Sequence, residues 1–277
     1  MNVIDCGGRA LDLRHVAVMG VLNITPDSFS DGGLFLSRER ALERAMQMAE
    51  EGADIIDVGG ESTRPGAAAV SLADELARVV PVIEALHKSL AIPLSIDTSK
   101  PEVMRDAVAA GAGMINDVRA LRAPQALSAA AQLGVPVCLM HMQGEPRTMQ
   151  DDPHYEDVVA EVKSFLHARR EACIAEGIPE QRIVLDPGFG FGKTAEHNLT
   201  LLRQLDQLKV LGSPLLVGLS RKSVIGKVLD LPIDQRVHAS VALAVIAARS
   251  GANMVRTHDV RATREAIRMA EAVYRAA

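Results

Sequence analysis

Val16-Ala-Val-Met-Gly-Val-Leu22, then Ser37-Arg-Glu-Arg-Ala-Leu-Glu-Arg-Ala-Met-Gln-Met-Ala49, then Asp54-Ile-Ile-Asp-Val58 is the stretch on which the fold turns. The outer segments are short apolar runs of strand length. Between them Ala41, Leu42, Ala45, Met46 and Ala49 recur at helical spacing. Ser37 is the predicted N-cap, because its hydroxyl can satisfy an orphan N–H, and Gly52 is the predicted stop, because glycine accepts the left-handed turn beyond a helix. A strand, a helix and a second strand make a βαβ unit, with parallel strands and a right-handed crossover.

The alternation continues without a break through Pro93–Asp97, Gly113–Asp117, Val135–His141, Arg182–Asp186, Pro214–Leu219 and Asn253–His258, which brings the strand-like runs to eight. Gly111, Gly134, Gly177 and Gly251 stand ahead of new runs as further helix stops. Eight such units close a (β/α)8 TIM barrel. An open doubly wound sheet is the rival, but no dinucleotide glycine fingerprint opens the chain and no linker divides it. The expectation is one barrel domain over residues 1–277. Val3–Leu13 reads as an N-terminal β-hairpin turning on Gly7-Gly8, capping the bottom of the barrel.

Composition narrows the partners. A chain of 277 residues that is 48% hydrophobic and 23% charged has the profile of a globular protein with an ample core. With net charge −5 and only 3% aromatic residues, it has neither a basic footprint for duplex phosphates nor stacking platforms for single strands, so nucleic acid is not an expected partner. Nor is a membrane, since no run approaches the roughly 18 apolar residues of a spanning helix. Cys6, Cys138 and Cys173 are odd in number and far apart, which fits a reducing cytoplasm, as does an N-terminus without the pattern of a secretory signal. Asn198-Leu-Thr200 matches a glycosylation sequon by chance.

In a barrel of this kind chemistry sits where strands end. The polar residues there are Asn23, Asp57, Glu61-Ser-Thr-Arg64, Asp97, Asn116-Asp117, His141, Asp186, Ser220-Arg-Lys222 and Arg256-Thr-His258. Any single aspartate after an apolar run is more often a cap than a catalyst. Eight successive strands converging on one mouth with such groups call for a polar ligand. Asp97 and Asp186, with the amide of Asn116, suit a flat heterocycle with an amino-pyrimidinone edge: the acids accept from N–H groups and the amide matches a donor and an acceptor. Lys222 is placed to donate to a ring oxygen or nitrogen. Asn23, Thr63, Arg64, Arg256 and His258 are donors suited to a diphosphate. Gly192-Lys193-Thr194 tempts a phosphate-loop reading, which fails because Pro187 stands where the first glycine is required. The glycines of Asp186-Pro-Gly-Phe-Gly-Phe-Gly192 allow close approach to a planar ligand, or else simply a flexible turn. His141 has no second ligand at metal spacing and reads as a satisfied polar residue lining the mouth.

Asn23-Ile-Thr-Pro-Asp-Ser-Phe-Ser-Asp-Gly-Gly33 and Asp57-Val-Gly-Gly-Glu-Ser-Thr-Arg-Pro-Gly66 resemble the two signature segments of the dihydropteroate synthase family. Further matches in family order are Ser95–Lys100, Ile115–Asp117, Asp186–Lys193, Ser220–Ser223 and Arg256–Asp259. The resemblance implies a barrel enzyme that joins 7,8-dihydropterin-6-ylmethyl diphosphate to 4-aminobenzoate, giving 7,8-dihydropteroate and diphosphate in folate biosynthesis. It further implies that Asp97, Asn116, Asp186 and Lys222 hold the pterin edge while Met140 and Arg256 pack on its faces. Asn23, Thr63, Arg64, Arg256 and His258 bind diphosphate, and Mg²⁺ sits on Asn23 and Asp31. Phe29, Thr63, Pro65, Ser220 and Lys222 surround the aminobenzoate, and Phe191 lies in a segment that meets a planar substrate. Asp97, Lys222 and Asp31 are the expected catalytic residues. A homodimer and inhibition by sulfonamide mimics of aminobenzoate are also implied. Two other functions compete, a pterin-binding methyltransferase domain and a non-catalytic pterin carrier. The methyltransferase has no need of the diphosphate site that Thr63-Arg64 and Arg256-Thr-His258 suit, and a carrier would bind pterin without releasing diphosphate.

Overall fold

The computed structural model describes residues 3–24, 33–62, 69–145 and 148–275. Strands β1 (Val3–Cys6) and β2 (Arg9–Asp12) form an antiparallel hairpin. Gly7 and Gly8 turn it with φ of 63° and 86°, values glycine adopts without a Cβ penalty. Eight further strands form one parallel sheet: β3 (Ala17–Asn23), β4 (Ile55–Gly59), β5 (Leu94–Asp97), β6 (Met114–Asp117), β7 (Val137–Met140), β8 (Ile183–Asp186), β9 (Leu216–Val217) and β10 (Met254–Thr257). Their order is β8-β7-β6-β5-β4-β3-β10-β9. Leu185 on β8 bridges Leu215 ahead of β9, and the Leu185 N–H donates to the Pro214 carbonyl at 2.9 Å, which closes the barrel.

The helices are α1 (Gly33–Glu50), α2 (Leu72–Ser89), α3 (Pro101–Ala109), α4 (Ala126–Leu133), α5 (Val158–Ala175), α6 (Ala195–Arg203), α7 (Ser223–Leu229), α8 (Val237–Arg249) and α9 (Val260–Arg275). Gly52, Gly111, Gly134, Gly177 and Gly251, the expected stops, all have positive φ. The predicted start of the first helix is corrected. α1 begins at Gly33, so Ser37 lies inside it, and Phe35 belongs to the helix rather than to the preceding loop. Leu34 stands seven residues before Ala41 and shares its helical phase, so the periodicity runs on through Ser37.

Strand parity divides two cores. Val18, Leu22, Ile56, Val58, Leu94, Ile96 and Ile115 point outward into the layer between sheet and helices. Ala17, Met19, Ile55, Met114, Cys138, Val184, Leu216 and Met254 point inward and meet Ile4, Cys6, Leu11 and Leu13 of the hairpin. The hairpin is thus a plug at the N-terminal end of the barrel. It is seated closely on β6, for a Cβ on Gly113 would lie 2.1 Å from the Cys6 carbonyl oxygen. The same inward parity, two residues further along, carries Asp57, Asn116, Met140, Asp186 and Arg256 to the open end, as it does Asp97 from Ser95. No helix among the described residues is long and apolar enough to cross a membrane.

Candidate active site

The open end holds a cleft of about 460 Å³, counting its mouth, lined by residues from seven strands or their loops, among them Asp97, Asn116, Met140, Asp186, Lys222 and Arg256. Asp57 is its hidden centre, with no exposed surface. One carboxylate oxygen, Oδ2, accepts from Arg256 Nε at 2.6 Å and from Asn116 Nδ2 at 3.0 Å. Arg256 Nη2 reaches on to Asp97 Oδ2 at 2.8 Å, so one guanidinium ties two strands' carboxylates together. Asn23 stands beside this group: a Cβ on Gly59 would fall 3.6 Å from Asn23 Oδ1 and 3.5 Å from Asp97 Cβ.

Burial sets the charges. It pushes the Asp97 carboxyl up to about 7, with Arg256 opposing and Asp57 adding to the shift. Burial also raises Asp186, against the pull of the Gly188 N–H and Lys222. Lys222 is brought down to about 8 by burial, Asp186 resisting. Arg256 is the exception: burial works against its charge, but Asp57 and Asp97 outweigh it and hold its pKa above the usual range. The cleft therefore keeps one fixed cation and groups that titrate near neutrality, the condition for recognising a neutral heterocycle through hydrogen bonds.

The seventh βα loop aims Lys222. Arg221 sits at φ 57°, a left-handed conformation that costs a non-glycine residue energy. Three contacts hold it there: its N–H donates to Ser240 Oγ at 2.9 Å, its guanidinium grips Asp259 through Nε at 3.0 Å and Nη2 at 2.5 Å, and its carbonyl accepts from Arg236 Nη1 at 3.2 Å. Lys222 Nζ then lies 4.0 Å from the centre of the Phe191 ring. Ser220 Oγ meets His258 Nδ1 at 3.0 Å and accepts from the His258 N–H at 3.1 Å, joining the seventh and eighth loops at the rim.

The chain that builds this mouth is similar to known proteins along nearly its whole length. Residues 19–258 match the family model described as pterin binding enzyme. Over 265 residues, 96% of this chain and 94% of the relative, the chain is 53% identical to the dihydropteroate synthase of Escherichia coli K12. The chain belongs to the dihydropteroate synthase family. Solved members agree in fold. The Xanthomonas albilineans dihydropteroate synthase with 4-aminobenzoic acid superposes with TM-score 0.94 at 54% identity, covering 99% of this chain and 98% of that one. The same enzyme in complex with 7,8-dihydropteroate gives 0.91 at 52% identity, with 98% of each chain covered. The Yersinia pestis enzyme in a sulfonamide drug complex gives 0.95 at 51% identity, covering 99% of this chain and all of that one.

Against the expectations for a dihydropteroate synthase, the structure brings Asp97, Asn116, Met140, Asp186, Phe191, Ser220, Lys222, Arg256 and His258 into one cleft, with Asn23 adjoining Asp97. Phe29, Asp31, Thr63, Arg64 and Pro65 lie outside the described residues. Two expectations are corrected. His141 does not line the cleft: it follows the inward Met140, so its side chain points the other way, where Lys193 Nζ meets Nδ1 at 2.9 Å and its ring is edge-on to Phe165. Burial, then Lys193, pushes its pKa down to about 2. The glycines of the sixth loop serve chiefly loop packing. A Cβ on Gly188 would sit 1.8 Å from the His141 carbonyl oxygen and one on Gly192 2.4 Å from that of Gln143, and only Gly190 faces Lys222. Asn198 of the sequon is buried, its side chain accepting from the Gly190 N–H at 2.7 Å. Sequence reading missed Asp57 as the hub and the Arg221–Asp259 clamp. Asp57 was legible from parity, since it alternates with inward Ile55; Asp259 left no signal beyond its place after His258.

Proposed function

We propose that this chain condenses 7,8-dihydropterin-6-ylmethyl diphosphate with 4-aminobenzoate to give 7,8-dihydropteroate and diphosphate. The observation that carries the reading is the buried set Asp97, Asn116, Asp186 and Lys222 facing one cleft, tied through Arg256 to the rim. Asp186 and Asp97 accept from the N–H groups of the pterin edge, Asn116 matches a donor and an acceptor, and Lys222 donates. Met140 and the Arg256 plane cover its faces. Ser220 and Lys222 stand where aminobenzoate meets the pterin.

Bond breaking is the hard step. Aromatic amines are nucleophilic as they stand, so no strong base is needed, and the amine proton leaves to solvent once the N–C bond has formed. The C–O bond to diphosphate breaks first, and the dihydropterin ring delocalises the positive charge left on the exocyclic carbon. The Asp97 carboxylate, close to the ring, stabilises that cation. Arg256 and His258 take up charge on the departing diphosphate. Magnesium usually sits on one or two protein oxygens plus substrate phosphates, and Asn23 Oδ1 beside Asp97 fits such a donor set, with Asp31 the second expected ligand. When bound there it would act as a Lewis acid on diphosphate oxygen.

A homodimer is supported by α8, which leaves Ala242 and Ile246 exposed and Val241 and Val245 half-buried, an apolar outer stripe on a helix already packed to its barrel through Ala244 and Ala247. A cytoplasmic location is supported by three buried, unpaired cysteines. The deciding experiment is incubation with both substrates and Mg²⁺, following diphosphate release and dihydropteroate by mass. Release in step with product is expected. Pterin binding without release would turn the assignment to a methyltransferase domain or a carrier.

A further inference from the structure

Lys193 is the part of the glycine-rich loop that the reaction does not use. It is 2% exposed, yet its amine is fully surrounded by polar partners. Lys193 Nζ has three polar neighbours: it donates to the Gly188 carbonyl at 2.9 Å and to the Phe191 carbonyl at 3.1 Å, and it meets His141 Nδ1 at 2.9 Å. The first two belong to the loop that follows β8, and the third to the residue that follows β7.

These attachments lead directly to the pterin cleft. Gly188 is held on both sides, its carbonyl by Lys193 and its N–H by Asp186 Oδ1 at 2.7 Å. Phe191, whose carbonyl Lys193 also holds, presents its ring to Lys222 Nζ at 4.0 Å. A turn bond from the Phe191 N–H to the Gly188 carbonyl at 3.1 Å joins the two points. Lys193 itself lines no part of the cleft. It touches the backbone of the two residues that orient Asp186 and support Lys222.

We propose that Lys193 is a positioning residue for the pterin site: its hydrogen bonds to the Gly188 and Phe191 carbonyls, anchored at His141, fix the loop over residues 188–191 and thereby set where Asp186 and Lys222 meet the pterin. The lysine that failed the phosphate-loop test is a clip for the loop rather than a phosphate ligand. The proposal rests on the pterin reading above. Through the loop backbone it governs pterin affinity more than aminobenzoate affinity, because both groups it orients face the pterin.

Lys193→Met keeps the length and removes every donor, leaving the Phe191 carbonyl and His141 Nδ1 without this partner and the Gly188 carbonyl with its turn bond from the Phe191 N–H alone. Calorimetric titration of wild type and variant with the pterin diphosphate, together with steady-state kinetics for each substrate, is the test. The expected result is a rise of about tenfold or more in pterin Kd and KM, with the aminobenzoate KM within about twofold at saturating pterin. Phe191→Ala should raise pterin Kd similarly, and the double variant should be little worse than the poorer single one, since coupled residues are not additive. Lys193→Gln retains two N–H donors and is the fallback if the methionine variant does not fold; its expected loss is about threefold, again non-additive with Phe191→Ala. A variant that melts earlier yet binds pterin as wild type does, or losses that add in full, would overturn the proposal. Wild type that neither binds pterin nor releases diphosphate would instead remove the functional reading beneath it.

Discussion

Arg256 Nε lies 2.6 Å from Asp57 Oδ2, and this one bond joins the floor of the cleft to its rim. Asp57 spends the same oxygen on Asn116, and Arg256 continues to Asp97, so a residue that no ligand needs to touch holds three that face the ligand. Asp57→Ala is expected to cost about 3 kcal/mol of stability, the usual penalty for breaking a buried ion pair by removing one partner. It should also lower kcat/KM for the pterin diphosphate by about a hundredfold. Chemical denaturation and steady-state kinetics check the two parts separately, and an active variant of wild-type stability would deny Asp57 its role.

Asp186→Asn is expected to weaken pterin binding by about a hundredfold, because an acceptor to ring N–H groups becomes partly a donor and a hydrogen bond to a charged group is worth about 1.5–3 kcal/mol. The Gly188 N–H can still bond the amide oxygen, so the loop should hold and melting should shift little. Unchanged pterin titration by calorimetry removes Asp186 from the site.

The Asp97 carboxyl titrates near 7 in the fold against an ordinary 3.8, burial being the main cause. A pKa raised on folding means that the native state binds the extra proton, so this group's contribution is fully present below about pH 4 and is lost as pH rises through about 7. Asp97→Asn should match wild-type stability at pH 4 and exceed it by about 1–3 kcal/mol at pH 8, while turnover collapses. Denaturation of the two proteins at both pH values is the check, and a difference independent of pH would contradict the assigned burial cost.

Gly188→Ala and Gly177→Ala form a matched pair. Both positions have positive φ, 69° and 98°, but a Cβ at 188 meets the His141 carbonyl oxygen at 1.8 Å whereas one at 177 meets nothing within 4 Å. The second should cost about 1 kcal/mol from backbone conformation alone, and the first about 3 kcal/mol or more with loss of pterin binding. Equal melting shifts for the two would mean that the sixth loop does not pack as tightly as its geometry states.

Arg221→Ala and Asp259→Ala should each lower kcat/KM by about tenfold, and the double variant by no more than either, because the pair acts as one clamp on the strained backbone before Lys222. Steady-state kinetics on the cycle decides it, full additivity of the two losses being the contrary result.

Much of this site was legible before the structure because barrel strands impose a parity that sequence carries openly. Apolar runs that close on Asp97, Asn116-Asp117, Asp186 and Arg256-Thr-His258 announce the strand, and alternation along it tells which of those side chains turn inward. His141 went wrong for the same reason reversed, since a strand end was recognised but its register was off by one, and a slip of one residue turns a side chain to the other face. Ser37 misled because capping preference is local, whereas Leu34 in phase with Ala41 extends the helix past it. Lys193 and Asp259 were out of reach for a different reason. Lys193 bonds carbonyls of its own loop, which no side-chain pattern marks, and Asp259 bonds a guanidinium 38 residues away that only three-dimensional packing brings near.

The hairpin over residues 3–12 has a meaning for traffic as well as for stability. With Ile4, Cys6, Leu11 and Leu13 sealed against the inward residues at the lower end, the vessel is blind, and everything that enters must leave by the door it came through. The reactant that lodges on Asp97, Asn116 and Asp186 lies deepest, so whatever meets it from above also bars its exit. Chemistry at the bottom of such a vessel queues. On the proposed reading the deeper reactant, the pterin, is expected to bind first, an order that product-inhibition kinetics would reveal.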